Sequence, residues 1–371
     1  MVRYPVGGIH LWVLSWLLGL QRLGHDVYVV EKSGWPDSCY DLSKRLMSDD
    51  CSYGVGVVDA VLSRFGLAQH WCFVDAAGRY HGLSRERVDA LFKSADLFLD
   101  FEGAEWLEES AGVPLRVMLD SEPGWCQIKM EHARDAGQES SSHQYYYTIG
   151  RNIGTDRTSA PTGGKTWRHI FPPVLLDLAP YNQPRLDAPF TTVMNWKSHK
   201  HVEYNGHQYG QKDDEFPRFI DLPRRTPARM QIAVSGSAVP REELRSHGWI
   251  VLNADDISTS LDSYQAYILA SKGEFAVAKH VFVATQTGWF GHQQGYYMST
   301  GRPVVLDETG FSAHLPVGCG LFGVKTVEEA AQAIGEINGD YVRHSRRARE
   351  IAVEFLDASR VLSSFLTELG L

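Results

Sequence analysis

Acidic residues recur where strand-like runs end in the first half of the chain. Asp100 and Glu102 close the run in LDFEGAEW, and Asp120 and Glu122 close that in LDSEPGW. A carboxylate at a strand end is placed to take a proton from a hydroxyl, and His10, at the head of the first helical pattern, offers an imidazole for the same work. The same residues also suit plain turns and caps. Two glycine turns, Gly7–Gly8 before a helix and Thr309–Gly310 after RPVVLD, present backbone N–H groups that an anion can approach. A tight turn without a ligand uses the same residues. Between them, TGWFGHQQGYYMSTGRPVVLDETGF (287–311) crowds Trp289, Phe290, His292, Gln293 and Gln294 beside glycines. Those amides and the imidazole suit neutral hydrogen bonds to hydroxyls, and the aromatics suit either a flat ring or a core.

The elements that must position these groups follow from periodicity. HLWVLSWLLGLQRLGH, YGVGVVDAVLSRFGL and SRERVDALFKSA carry helical spacing; DVYVVE, HWCFVD, DLFLDF and LRVMLD are strand-like. Alternation of this kind implies a parallel sheet covered on both faces. A Gly-, Thr- and Pro-rich stretch (154–174), then APYNQPRLDAP (179–189), marks a connection. The alternation restarts with FTTVMNW and MQIAVSG, the latter ending at Gly236. SLDSYQAYILASKGEFAVAKH is expected to be mainly helical, VFVAT (281–285) a strand, and 195–216 a long polar loop bearing Trp196, Lys197, Lys200 and Lys212. The tail reads as two or three helices. The expected architecture is α/β: two Rossmann-like domains, 1–182 and 183–354, facing across a cleft. A helical C-terminal tail (355–371) packs back on the first domain. Ligands of such sheets bind beyond the carboxyl ends of the strands.

Composition narrows the function. At 371 residues, two domains are the prior. A net charge of −9 argues against a protein built to coat nucleic acid. Five scattered cysteines without a CxxC pair imply free thiols and a cytoplasmic protein. No apolar run is long enough to predict a transmembrane helix. His199, His201, Glu203 and His207 are types that hold zinc, but without a cysteine pair or an HExxH helix no metal is expected.

STGRPVVLDETGFSAHLPVGCGLFGVKTVEEAAQAI resembles the nucleotide-sugar half of GT-B glycosyltransferases of the group 1, family 4-like type. YPVGGIHLWVLSWLLGLQRLGHDVYVV resembles their opening; together the two stretches cover roughly a quarter of the chain. The resemblance implies a hexosyl- or pentosyltransferase that uses a nucleoside-diphosphate sugar as co-substrate, with neither metal nor resident cofactor. It places the acceptor (a small molecule, a glycan or a nucleobase) in the first domain, with the catalytic group among His10, Asp100, Asp120 and Glu122. It implies a donor site in the second domain, built on Trp196, Lys197, Gly236, Glu274, Lys279, Trp289, Phe290, His292, Gln293, Gln294, Thr309 and Gly310, with Gly7 and Gly8 opposite. Glu274 suits a ribose or sugar diol and Lys279 a phosphate; both also suit a solvated helix face.

The sequence departs from the family at two points. The usual two glutamates spaced eight apart are replaced by Gly288 and Tyr296, and only MVRYPV precedes the first glycine turn. Two rivals follow: an inactive relative that only binds, and an NAD-dependent enzyme, for which Glu31 after DVYVV is the one supporting residue and G-x-G-x-x-G is missing.

Overall fold

A computed structural model describes residues 1–101, 106–138, 142–185 and 187–371. In the first half, α1 (Gly7–Arg22) leads to β1 (Val29–Lys32), a hairpin of β2 (Cys39–Asp41) and β3 (Leu46–Ser48), then α2 (Ser52–Arg64). β4 (Trp71–Val74), β5 (Tyr80–Gly82), α3 (Arg85–Ser94), β6 (Leu97–Asp100), β7 (Leu115–Asp120), α4 (Trp125–Asp135), β8 (Tyr145–Thr148) and β9 (Trp167–His169) complete it. α3 starts where the sequence says it should: the Ser84 hydroxyl accepts the Arg87 N–H, and Glu86 faces the positive end of the helix. Apart from the β2-β3 hairpin, these strands form two pieces, β1-β4-β5 and the parallel β6-β7-β8-β9. Among the described residues no strand precedes α1; instead Glu31 accepts the Val2 N–H at 2.7 Å and the Arg3 N–H at 3.2 Å.

The second half holds β10 (Phe190–Asn195), the hairpin β11 (Val202–Tyr204) and β12 (His207–Tyr209), α5 (Lys212–Glu215), α6 (Leu222–Arg225) and β13 (Met230–Ser235). Then come α7 (Arg241–Ser246), β14 (Ile250–Asn253), α8 (Ala254–Ile257), α9 (Leu261–Leu269), β15 (Gly273–Ala276), α10 (His280–Ala284), α11 (His292–Ser299), β16 (Val304–Asp307) and β17 (Leu321–Val324). Its parallel sheet has the order β14-β13-β10-β15-β16-β17, the doubly wound 3-2-1-4-5-6 arrangement with a switch point between β10 and β15. α12 (Val327–Gly339), α13 (Tyr341–Phe355) and α14 (Ala358–Leu369) form the tail. α14 lies against the first half: Phe365 meets Trp16 and Tyr147 edge-on, and the Tyr147 hydroxyl donates to Glu368 at 2.9 Å. One hydrophobic cluster therefore runs from α1 and β7 through α11 to α13 and α14.

Three local expectations change. Glu274 lies on central strand β15, not a helix, and Lys279 follows the tip of that strand. VFVAT is helical (α10), although its β-branched residues favour a strand; packing around Val281 and Phe282 decides. The polar 195–216 segment is not structureless. Asn205 (φ 50°) and Gly206 (φ 75°) make the left-handed two-residue turn that joins β11 to β12.

Candidate functional site

The switch point opens because β10 pairs with β15 over only two residue pairs, Phe190–Gly273 and Thr191–Glu274, and the strand tips then part. Gln293 of α11 enters the gap. Its Nε2 donates to the Val193 carbonyl at 3.1 Å and to Glu274 Oε1 at 2.7 Å, while its Oε1 accepts the Tyr264 hydroxyl at 3.2 Å. Gln294 donates to the same Glu274 oxygen at 3.0 Å. The structure thus brings together Glu274, Gln293 and Gln294. Burial raises the Glu274 carboxyl to about 7, against the pull of the Gln293 amide and the Lys212 charge. Its Oε2 is buried with no hydrogen-bond partner among the described residues.

Two lysines stand at the mouth. Backbone bonds from His280 N to the Gln211 carbonyl (3.2 Å) and from Val281 N to the Gly210 carbonyl (3.3 Å) lay the start of α5 beside the start of α10, just past β15. That places half-buried Lys212 near Lys279, and burial, then the Lys279 charge, lowers the Lys212 ammonium to about 8. The preceding residue, Gln211, is buried, with neither Nε2 nor Oε1 of its amide partnered among the described residues. Lys279 reaches across to the first half, where both Glu122 oxygens accept its ammonium, Oε1 at 2.5 Å. His199 stacks on Trp125 at 4.5 Å beside this pair. Gly236 (φ 101°) lets the loop after β13 approach the β10 tip: a Cβ there would lie 2.5 Å from Asn195 Oδ1.

On the facing side, Asp120 ends β7. Its Oδ2 accepts Thr148 Oγ1 and Gln127 Nε2, each at 2.7 Å, and its Oδ1 accepts the Glu122 N–H at 2.8 Å. Burial raises this carboxyl to about 6 against those hydrogen bonds. Asp120 lines a cavity of about 180 Å³ with Trp12, Trp16, Phe101, Trp289 and His292. His292 Nε2 lies 3.1 Å from Ser15 Oγ, and burial lowers the imidazole to about 3, so it is neutral.

Other predicted residues lie elsewhere. The glycine turns are not open cradles. Gly7 donates its N–H to the Ser258 carbonyl at 3.0 Å, and a Cβ on it would meet the Ser260 carbonyl at 2.4 Å. The Tyr264 ring lies against Gly8. Thr309 is buried and donates its hydroxyl to the Trp289 carbonyl at 2.6 Å, and the Gly310 N–H is held by Glu308 Oε1 at 2.6 Å. Both turns serve close packing between chain segments, which asks for the same residues as an anion site. Trp196 is core beside Phe216 (5.3 Å), and Phe290 is core beside Phe311 (5.9 Å). Lys197 pairs with Asp213 at 3.1 Å on the surface. Asp100 is buried against His143 Nε2 at 2.9 Å, and His10 is fully buried, its imidazole lowered to about 4 by burial. Glu102 lies outside the described residues. Glu31 is consumed by the first residues of the chain, which leaves the dinucleotide reading without its one carboxylate.

Sequence reasoning missed Trp12, Trp16 and Phe101, which wall the cavity, and Gln127 and Thr148, which orient Asp120. The Trp12–Trp16 spacing of four was a legible signal of one helix face. The His199, His201, Glu203, His207 set is not gathered: His201 turns to Asp214 (3.1 Å), and Glu203 to Gln208 (2.9 Å). Among the described residues the groupings with metal-ligand character are Cys51, Asp75, His81 and His201, Asp213, Asp214.

No family model matches this chain, and no curated protein matches it in sequence. Solved structures do. Anabaena HepE in complex with UDP is similar over 93% of this chain and 100% of its own, with a TM-score of 0.53 at 13% identity. HepE in complex with UDP and glucose gives 0.51 over the same shares. AviGT4, a glycosyltransferase involved in avilamycin A biosynthesis, gives 0.50 at 11% identity, over 92% of this chain and 96% of its own. The chain spans only 54% of TarM and 63% of the pneumococcal O-GlcNAc transferase GtfA. At such identities the likeness is one of fold: two Rossmann-like domains facing across a cleft, the GT-B architecture. Among the described residues no helix is long and apolar enough to cross a membrane.

Proposed function

We propose that this protein is a glycosyltransferase that moves a hexosyl or pentosyl group from a nucleoside-diphosphate donor to an acceptor hydroxyl. One observation carries the reading. At the sheet's switch point, backbone bonds from residues 280–281 to 210–211 bring the segments of Lys212 and Lys279 together beside the Glu274–Gln293 pair, and Lys279 reaches Glu122, two residues past Asp120, on the facing domain. HepE, of the same fold, is known with UDP and glucose. The donor's diphosphate lies on the two lysines, in place of the glycine-turn cradle expected from the sequence. Gln293, Gln294 and Glu274 serve ribose or sugar hydroxyls. When the sugar C1–O bond breaks, the diphosphate leaves with the electron pair, and the ammonium groups offset its charge. Asp120, ionised at neutral pH, takes the acceptor proton as the acceptor oxygen joins C1. Because lysines supply the positive charge, the reaction is metal-independent, and turnover in EDTA checks that directly.

Glu122 and a diphosphate compete for Lys279, so donor binding and opening of the Glu122–Lys279 contact are one event. A second reading, a non-catalytic binder, is favoured by Tyr296, which stands where the family keeps a glutamate and is fully buried, its hydroxyl donating to the Leu178 carbonyl at 2.6 Å. A thermal-shift panel of UDP, TDP, GDP, ADP and NAD tests the ligand class, since a ligand of the native state raises the melting temperature. At least one nucleoside diphosphate should stabilise and NAD should not. No shift from any diphosphate refutes the reading. Slow hydrolysis of the matching sugar nucleotide separates enzyme from binder.

A further inference from the structure

The cavity beside Asp120 narrows the acceptor. We infer that the acceptor is a small planar aromatic alcohol or phenol of one or two rings, and not a glycan; this rests on the glycosyltransferase reading above. Trp12 and Trp16 project from one face of α1, and both meet Phe101 edge-on, at 5.1 Å (85°) and 5.3 Å (79°). These three rings form one wall. Leu119, Ile149, Ile170 and Pro172 of the same domain add aliphatic surface, and Trp289 closes the side toward the second domain.

The polar capacity of this space is small. His292 is neutral and engaged with Ser15, and the other polar groups of the lining are the Asp120 carboxylate, the Ser121 hydroxyl and the single indole N–H of each tryptophan, fewer than a sugar's ring of hydroxyls calls for. A sugar acceptor carries several hydroxyls, and each one buried here without a partner is costly. An aromatic ring needs no such partners and gains edge-to-face contacts from the wall. Size agrees: an apolar cavity of about 150 Å³ accommodates benzene, and pockets for drug-sized ligands run to roughly 300–1,000 Å³. A space of about 180 Å³ takes one ring or two fused rings.

The chemistry balances with one carboxylate. The acceptor O–H gives its proton to Asp120, its oxygen bonds to the sugar C1, and the C1–O bond to the diphosphate breaks with its electrons going to phosphate. One reactive hydroxyl near one base is all the site must orient.

Equilibrium dialysis of the full chain with 2-naphthol and, separately, with methyl glucoside tests the inference, run beside the nucleoside-diphosphate thermal-shift panel. 2-Naphthol should bind at least tenfold more tightly than methyl glucoside. Phe101→Ala, at an exposed position (38%) where truncation spares the core, should weaken 2-naphthol at least tenfold. Trp12→Ala should do the same, Trp12→Phe should restore most of the binding, and the nucleotide shift should stay unchanged in all three. Diphosphate binding without 2-naphthol binding overturns the acceptor class alone. Preference for methyl glucoside, or indifference to both truncations, also overturns it. 2-Naphthol binding with no response to any diphosphate brings down the transferase reading, and the acceptor assignment with it.

Discussion

Replacing Glu122 by glutamine keeps the side chain's shape and removes the charge that holds Lys279. The pair is partly sheltered, with side-chain exposures of 22% for Glu122 and 9% for Lys279. A hydrogen bond to a charged group in such a setting contributes about 1.5–3 kcal/mol. A diphosphate that must take Lys279 from Glu122 forfeits that amount, so the variant should bind it more tightly by roughly tenfold to a hundredfold. Folding responds with the opposite sign. Lys279 keeps its burial and loses its counter-charge, which costs about 1–3 kcal/mol and lowers the melting temperature in nucleotide-free buffer. Opposite signs separate this effect from general damage, which weakens both. Titration calorimetry at two salt concentrations, with the nucleotide chosen by thermal shift, reads the first quantity, and the gain should shrink at high salt. Unchanged or weaker nucleotide binding by Glu122→Gln would refute the competition for Lys279.

Asp120→Asn should cut turnover by about 10²–10⁴-fold with little change in nucleotide affinity, and wild-type turnover should rise with pH through about 6 as the carboxyl ionises; a flat pH profile counts against its role as base. Glu274 has a folded pKa of about 7, raised above its ordinary 4.5, so the native state holds the proton more strongly and stability is lost as pH rises from 4.5 through 7. That gap amounts to ~3 kcal/mol at most, and Glu274→Gln should flatten urea-unfolding midpoints measured between pH 5 and pH 8; an unaltered pH dependence contradicts the buried carboxyl. Lys212→Met should weaken diphosphate binding at least tenfold while barely altering nucleoside binding, as read by competition.

Much of this was legible. The alternation of strands and helices, the Ser84 cap and the tail helices follow from local rules, and the second-half sheet is parallel, as that alternation implies. The amides of Gln293 and Gln294 stand out by residue type and Glu274 through the family resemblance, and the fold hydrogen-bonds all three to one another. What the sequence hid was the reason for glycine. Gly7 is needed because Ser260 approaches its backbone, and Gly310 because Asn152 does, and close packing leaves the same mark as a phosphate cradle. β15 was hidden because GEFAVA puts a carboxylate on a central strand, where buried runs are ordinarily apolar. The aromatic wall depends on Phe101 reaching α1 across the fold, a contact that local periodicity does not encode.

In the proposed complex a diphosphate sits between the two sheets on Lys212 and Lys279. A crystal structure of the complex with the nucleoside diphosphate chosen by thermal shift tests it most directly. The prediction is diphosphate oxygens within hydrogen-bond reach of both ammonium groups, with Glu122 displaced from Lys279. A nucleotide bound elsewhere, with the Glu122–Lys279 contact intact, would contradict it.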